Sequence, residues 1–244
     1  MSFERPFFEI GPKNYLRRPE LERLARAAGD AARDHGITVI LTVPTAMIAP
    51  IADLDTGVHV FAQDMALETL GDSFGHVTAE SLVDAGAVGV MLNHDANPLS
   101  PSELKASIDR ASDVGLQTIA CAGSEAEALL FAADNPSILL YEPPELIGTH
   151  GSRPREWIGR VTASIRAANP GVRAMHAGGV SAPEIARAIM AAGADGTGST
   201  SGILKANDPL EATHNFIAAA REGWNLAHAA QSSDTNNTTK ENQK

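Results

Sequence analysis

Short apolar runs recur along this chain, each followed by a polar or glycine-rich turn and then by an alanine-rich stretch with helical spacing. The runs at residues 6–10, 37–43, 58–62, 88–92, 117–122, 137–141, 172–176 and 194–198 predict buried strands, being short, rich in Val, Ile and Leu, and bounded by turn residues. Between them the apolar spacing predicts helices over 19–35, 78–85, 101–114, 125–133, 155–168, 182–192 and 209–230, with a weaker one around 45–54. Gly36, Gly86, Gly115 and Gly193 stand where several of these helices hand over to the next strand, the position where a left-handed residue ends a helix. Eight strands alternating with helices predict an α/β protein built on a parallel sheet. A closed (β/α)8 barrel in a single domain over residues 1–230 fits both count and length, and a doubly wound open sheet is the alternative. From 231 to 244 the composition turns polar, which predicts a disordered tail.

Composition narrows the classes of function. A formal net charge of −11 argues against nonspecific binding to a nucleic-acid backbone. The one cysteine, Cys121, allows no intrachain disulfide framework and fits a reducing, cytoplasmic setting. No apolar run approaches the length of a membrane span, and the N-terminus lacks a signal-peptide pattern. No cluster has metal-ligand spacing, so no metal is expected.

The candidate chemistry sits at strand ends, the face on which barrels of this kind carry their active sites. Lys13 follows strand one, where it could meet a substrate anion or be a solvated loop lysine. His94 follows strand four, as an acid, base or neutral hydrogen-bond donor, or as a structural imidazole. Glu142 ends strand six ahead of two prolines, as a general base under a lid or as an ion-pair partner. Glu145 is its rival, but lies further from the strand end. Ala177-Gly178-Gly179-Val180-Ser181 opens the seventh helix, with Ser181 as the expected N-cap, and Gly196-Thr197-Gly198-Ser199-Thr200-Ser201-Gly202 follows strand eight. Glycine loops after strands seven and eight are where barrels often hold phosphate, so the two together mean more than either alone.

This order of lysine, histidine, glutamate and two glycine loops resembles the triosephosphate isomerase family, particularly its shorter archaeal-type branch. The likeness is carried by Leu92-Asn93-His94, by Glu142-Pro143-Pro144-Glu145-Leu146-Ile147-Gly148-Thr149, by the loop ending at Ser181, and by the stretch from Ser201 to Pro209. It runs from about Phe8 to Phe216. The resemblance implies a TIM barrel that interconverts an aldose and a ketose phosphate through an enediolate, with no cofactor. Glu142 would move the carbon-bound proton, neutral His94 would serve the carbonyl oxygens, as triosephosphate isomerase is established to do, and Lys13 would stabilise the enediolate charge. Gly148, Gly178, Gly179, Ser181, Ser201 and Gly202 would surround the phosphate, and residues 143–151 would close over it. The resemblance also implies a homodimer or homotetramer, associating through the loop at 63–75.

Four positions depart from the family pattern. Gly11 replaces an asparagine two residues before the lysine and removes a substrate contact. Asp95-Ala96 replaces Ser-Glu after the histidine, leaving Lys13 without a usual partner unless Asp95 substitutes. His150 stands where a glycine is usual in the lid. Triose phosphate is the default substrate, and a four-carbon ketose phosphate is the alternative that Gly11 and the lid suggest. Two other classes compete: a non-catalytic barrel that binds a phosphate ligand, and a phosphate-binding lyase or aldolase with Schiff-base lysine chemistry.

Overall fold

The computed structural model describes residues 4–147 and 155–241, with side chains through 229. Eight parallel strands form the closed barrel: β1 (Phe7–Ile10), β2 (Thr38–Val43), β3 (His59–Ala62), β4 (Gly89–Leu92), β5 (Gln117–Ala122), β6 (Ile138–Tyr141), β7 (Arg173–His176) and β8 (Gly196–Gly198). Phe7 pairs with Thr38 of β2 on one side and Gly196 of β8 on the other, and this second pairing closes the ring and rules out the open sheet. The helices are α1 (Arg18–His35), α2 (Ile48–Ala52), α3 (Ala79–Asp84), α4 (Pro101–Asp113), α5 (Glu125–Ala132), α6 (Trp157–Ala168), α7 (Pro183–Ala191), α8 (Ser201–Leu204) and α9 (Pro209–Glu241). The weak second helix is a single 3-10 turn, Thr45–Met47, running into α2. The sixth starts at Trp157 rather than at 155, and Arg155 instead donates to the carbonyls of Ala177 and Gly178 in the turn after β7. The last runs past residue 230 to Glu241.

Local chemistry explains several of these boundaries. Ser100 caps α4 by accepting the N–H of Glu103, whose carboxylate accepts the N–H of Ser100 in return, with Pro101 in the first turn. Ser124 does the same for the N–H of Glu127 at α5. On β1 the side chains alternate: Phe8 packs outward against Phe216 of α9, ring centroids 6.3 Å apart, while Phe7 and Glu9 face the barrel axis. A Cβ at Gly196 would lie 2.2 Å from the Phe7 ring and one at Gly89 would lie 2.4 Å from the Phe61 ring, so these glycines make room for the two rings that fill the interior. At the end of the barrel where the strands begin, buried Asp195 accepts the backbone N–H of Ala174 at 2.9 Å and pairs with Arg166 at 2.7 Å and Arg5 at 3.1 Å. These bonds lock β7, β8 and α6 to the segment entering β1.

Candidate functional site

Lys13, His94 and Glu142 come from three different strand ends, and the charge of Lys13 is felt at both of the others. The Glu142 backbone extends β6 by one rung, its N–H donating to Ala122 O at 3.0 Å. The two prolines then start a 3-10 turn, Pro144–Leu146, that drives Leu146 into the core and leaves Glu145 exposed. The spacing Glu-Pro-Pro-Glu-Leu thus separates the two carboxylates, one turned into the barrel mouth and one into water. Burial pushes the Glu142 carboxyl above the usual glutamate range, with Asp95 adding to the rise and Lys13, Arg155 and a backbone hydrogen bond from Gly178 opposing it.

Lys13 adopts a left-handed backbone, φ 49°. Its carbonyl accepts a 3.1 Å hydrogen bond from the Gln63 side chain, which also reaches Thr42 O at 3.2 Å and so ties the ends of β1 and β2 to β3. His94 follows Asn93, another left-handed residue at φ 58°, whose side chain donates to Cys121 O at 2.8 Å and accepts the Leu99 N–H at 2.8 Å. The His94 Nδ1 accepts the Ala96 N–H at 3.0 Å, which leaves the ring proton on Nε2. Burial, and then the charge of Lys13, hold this imidazole below the usual histidine range, so it is neutral at physiological pH.

The loops after β7 and β8 are knitted to each other and to β1. Gly178 and Gly179 are both left-handed, φ 85° and 61°, and turn the chain sharply after His176. Ser199 donates its hydroxyl to Val180 O at 2.7 Å, and Thr200 donates to Gly11 O at 2.8 Å. Ser181 is not the N-cap of α7. Its N–H closes a tight turn onto Gly179 O at 3.0 Å, which places it one residue early, and extended Ala182 occupies the cap with no side-chain bond. The loop ending at Gly202 is not wholly irregular, because Ser201 begins the short α8. A Cβ at Gly202 would lie 2.6 Å from Val180 O and 2.7 Å from the Phe216 ring, so packing alone already demands glycine there. Gly148 and the far half of the expected lid, His150 included, lie outside the described residues.

The family model described as Triosephosphate isomerase matches residues 10–220. The chain belongs to the triosephosphate isomerase family. Among its relatives, the triosephosphate isomerase of Methanobacterium bryantii is 30% identical over 220 residues, covering 88% of this chain and 97% of that protein. That of Methanosarcina barkeri is 30% identical over 219 residues, 87% of this chain and 97% of the relative. That of Methanosarcina acetivorans is 31% identical over 198 residues, 80% and 88% respectively. The resemblance expected from the strand-end motifs is therefore the family found, on an archaeal side of it.

Within this family frame the site holds three side chains that strand-end reasoning passed over. Arg155, grouped by its spacing with the sixth helix, donates instead to Ala177 O at 3.2 Å and to Gly178 O, bracing the turn beside Glu142. Gln63, seen only as the start of a loop, is the brace between strands described above. Glu9 lies buried inside the barrel mouth, and one sequence signal for it existed: a carboxylate at an inward place in an otherwise apolar strand. Among the described residues no ion pair joins Asp95 to Lys13, and Asp95 is instead felt as a charge by Glu142 and His94. No helix among the described residues is long and apolar enough to cross a membrane.

Proposed function

We propose that this chain is an isomerase of a small sugar phosphate, with dihydroxyacetone phosphate and glyceraldehyde 3-phosphate as its substrate pair. The observation that carries the reading is the desolvated carboxyl of Glu142 together with a neutral His94 protonated on Nε2, both within reach of the Lys13 charge. Glu142 takes the proton from the carbon beside the carbonyl, and the C–H electron pair moves toward the carbonyl oxygen. His94 supplies a proton from Nε2 to that oxygen and recovers one from the neighbouring hydroxyl. Glu142 returns its proton to the adjacent carbon, so the aldose and ketose forms exchange with no net gain or loss of atoms. The Lys13 ammonium stabilises the enediolate charge between the two transfers. The phosphate lies at Gly178, Gly179, Ser181, Ser201 and Gly202.

A second reading, a four-carbon ketose phosphate, draws support from Gly11, where no side chain stands over the reacting end. Incubation with dihydroxyacetone phosphate in deuterated water separates the two: absence of both isomerisation and carbon-bound deuterium excludes the triose. The same panel tests a non-catalytic phosphate-binding barrel, which would show thermal protection without turnover, and borohydride trapping tests a lysine Schiff base. The proposed assembly is a homodimer or homotetramer joined through residues 63–75. Its support is the exposure in that loop of Leu67, Leu70 and Phe74, the last 98% exposed, since rings of that size are rarely left in water. Phe74→Asp is expected to shift the species seen in sedimentation toward monomer.

A further inference from the structure

Closing the barrel does not require a carboxyl inside it, yet Glu9 is only 6% exposed there. Two glycines shape its slot. A Cβ at Gly11 would sit 3.0 Å from Glu9 Oε1, and one at Gly198 would sit 2.9 Å from Oε2, so a larger residue at either place would displace the carboxyl. Thr42 of β2 donates its hydroxyl to Oε1 at 2.7 Å. Among the described residues Oε2 takes no hydrogen bond. A carboxylate this enclosed, with a single protein donor on one of its oxygens, is disfavoured against the neutral acid, so the group tends to keep its proton.

The charged neighbours agree. Glu142 beyond β6 and Lys13 beyond β1 face this carboxyl, and Cys121 on β5 has its thiol pushed up by burial and by both glutamates. Burial raises Glu9 to about 7, Glu142 adds to the rise, and Thr42 and Lys13 oppose it. A bound phosphate would bring further negative charge and favour the neutral acid more. In that form the carbonyl oxygen Oε1 keeps the Thr42 bond, and the proton sits on Oε2. We propose that Glu9 is a further substrate-contacting residue, a neutral carboxyl that donates from Oε2 to an oxygen at the reacting end of the sugar phosphate. This assignment rests on the isomerase reading above. Gly11 matters to it because the missing side chain keeps the carboxyl in place and uncovered.

The test is kcat/KM against pH for the wild type, Glu9→Met and Glu9→Gln, on dihydroxyacetone phosphate and on a four-carbon ketose phosphate, with circular dichroism to confirm folding. Wild-type kcat/KM is expected to fall above about pH 7 as Glu9 ionises. Glu9→Met should lose about tenfold or more below that pH, while Glu9→Gln, whose amide can still donate, recovers much of the loss and shows no such fall. Gly11→Ala should raise KM by pressing on Oε1. An active wild type with Glu9→Met equal to it overturns the contact, and Glu9→Gln as weak as Glu9→Met overturns the donor. A wild type silent on every sugar phosphate instead overturns the isomerase reading, and this assignment falls with it.

Discussion

Gly178 donates its backbone N–H to the Glu142 carboxylate, and a Cβ on Gly178 would lie 3.2 Å from Glu142 Cγ and 3.0 Å from Leu146 Cβ. The turn after β7 therefore holds the proposed base and seats Leu146, at the start of the proposed lid, through one residue, which is left-handed at φ 85°. Gly178→Ala is expected to cost about 1–3 kcal/mol from backbone strain alone. It should also lower kcat by about tenfold or more through displacement of the carboxylate. Denaturant unfolding and steady-state kinetics read the two effects separately, and an unchanged kcat would break the link between this turn and the base.

Glu142→Gln keeps the shape of the side chain but cannot accept a proton. It is expected to reduce kcat by about 10²–10⁴-fold with the thermal midpoint little changed. Glu142→Asp should fall between that variant and the wild type, because the carboxylate is retained but withdrawn by one methylene. Turnover on the sugar phosphate that the wild type accepts is the measurement, and equal rates would remove Glu142 from the reaction.

The acid limb of kcat/KM should lie above the ordinary glutamate range. Burial raises Glu142, the base must be ionised, and activity is therefore lost as pH falls through that raised value. Lys13 opposes the rise, so Lys13→Met is expected to move the limb further up in pH as well as slowing turnover. His94, held low by burial and Lys13, adds no alkaline loss because it is already neutral. A limb that stays put in Lys13→Met would contradict the proposed proximity.

His176 titrates against the fold rather than the substrate. It is fully buried on β7, its Nε2 lies 2.8 Å from Thr162 Oγ1, and Tyr141 and Trp157 close around the ring. Burial lowers it from 6.5 to about 3, so between those values the unfolded chain binds a proton that the native protein does not. Stability should therefore decline as pH falls through this window, by up to about 1.4 kcal/mol per pH unit from this residue. Replacing both polar partners, Thr162→Val with His176→Leu, should flatten that slope in urea unfolding across pH. A slope equal to wild type would assign the acid sensitivity elsewhere.

Much of this molecule was legible in the chain because barrel strands and their helices carry strong local periodicity. The eight apolar runs match the eight strands to within a residue or two, and Lys13, His94 and Glu142 each stand just beyond one of them. Family membership followed from the same strand-end residues. Where local signals were read too literally, the differences are small: Ser181 resembles a helix cap by composition, but the turn onto Gly179 decides otherwise.

What the sequence by itself determined is the alternation, the face on which chemistry gathers and the family. Only the tertiary structure decided what meets across the barrel. Closure is a pairing between Phe7 and Gly196, far apart in the chain, and no local pattern can choose it over an open sheet. The slot for Glu9 likewise needs Gly11, Thr42 and Gly198 from three strands, and the neutrality of His94 needs burial as well as spacing. Protonation depends on desolvation and on charges from distant segments, and these quantities exist only once the chain has closed on itself.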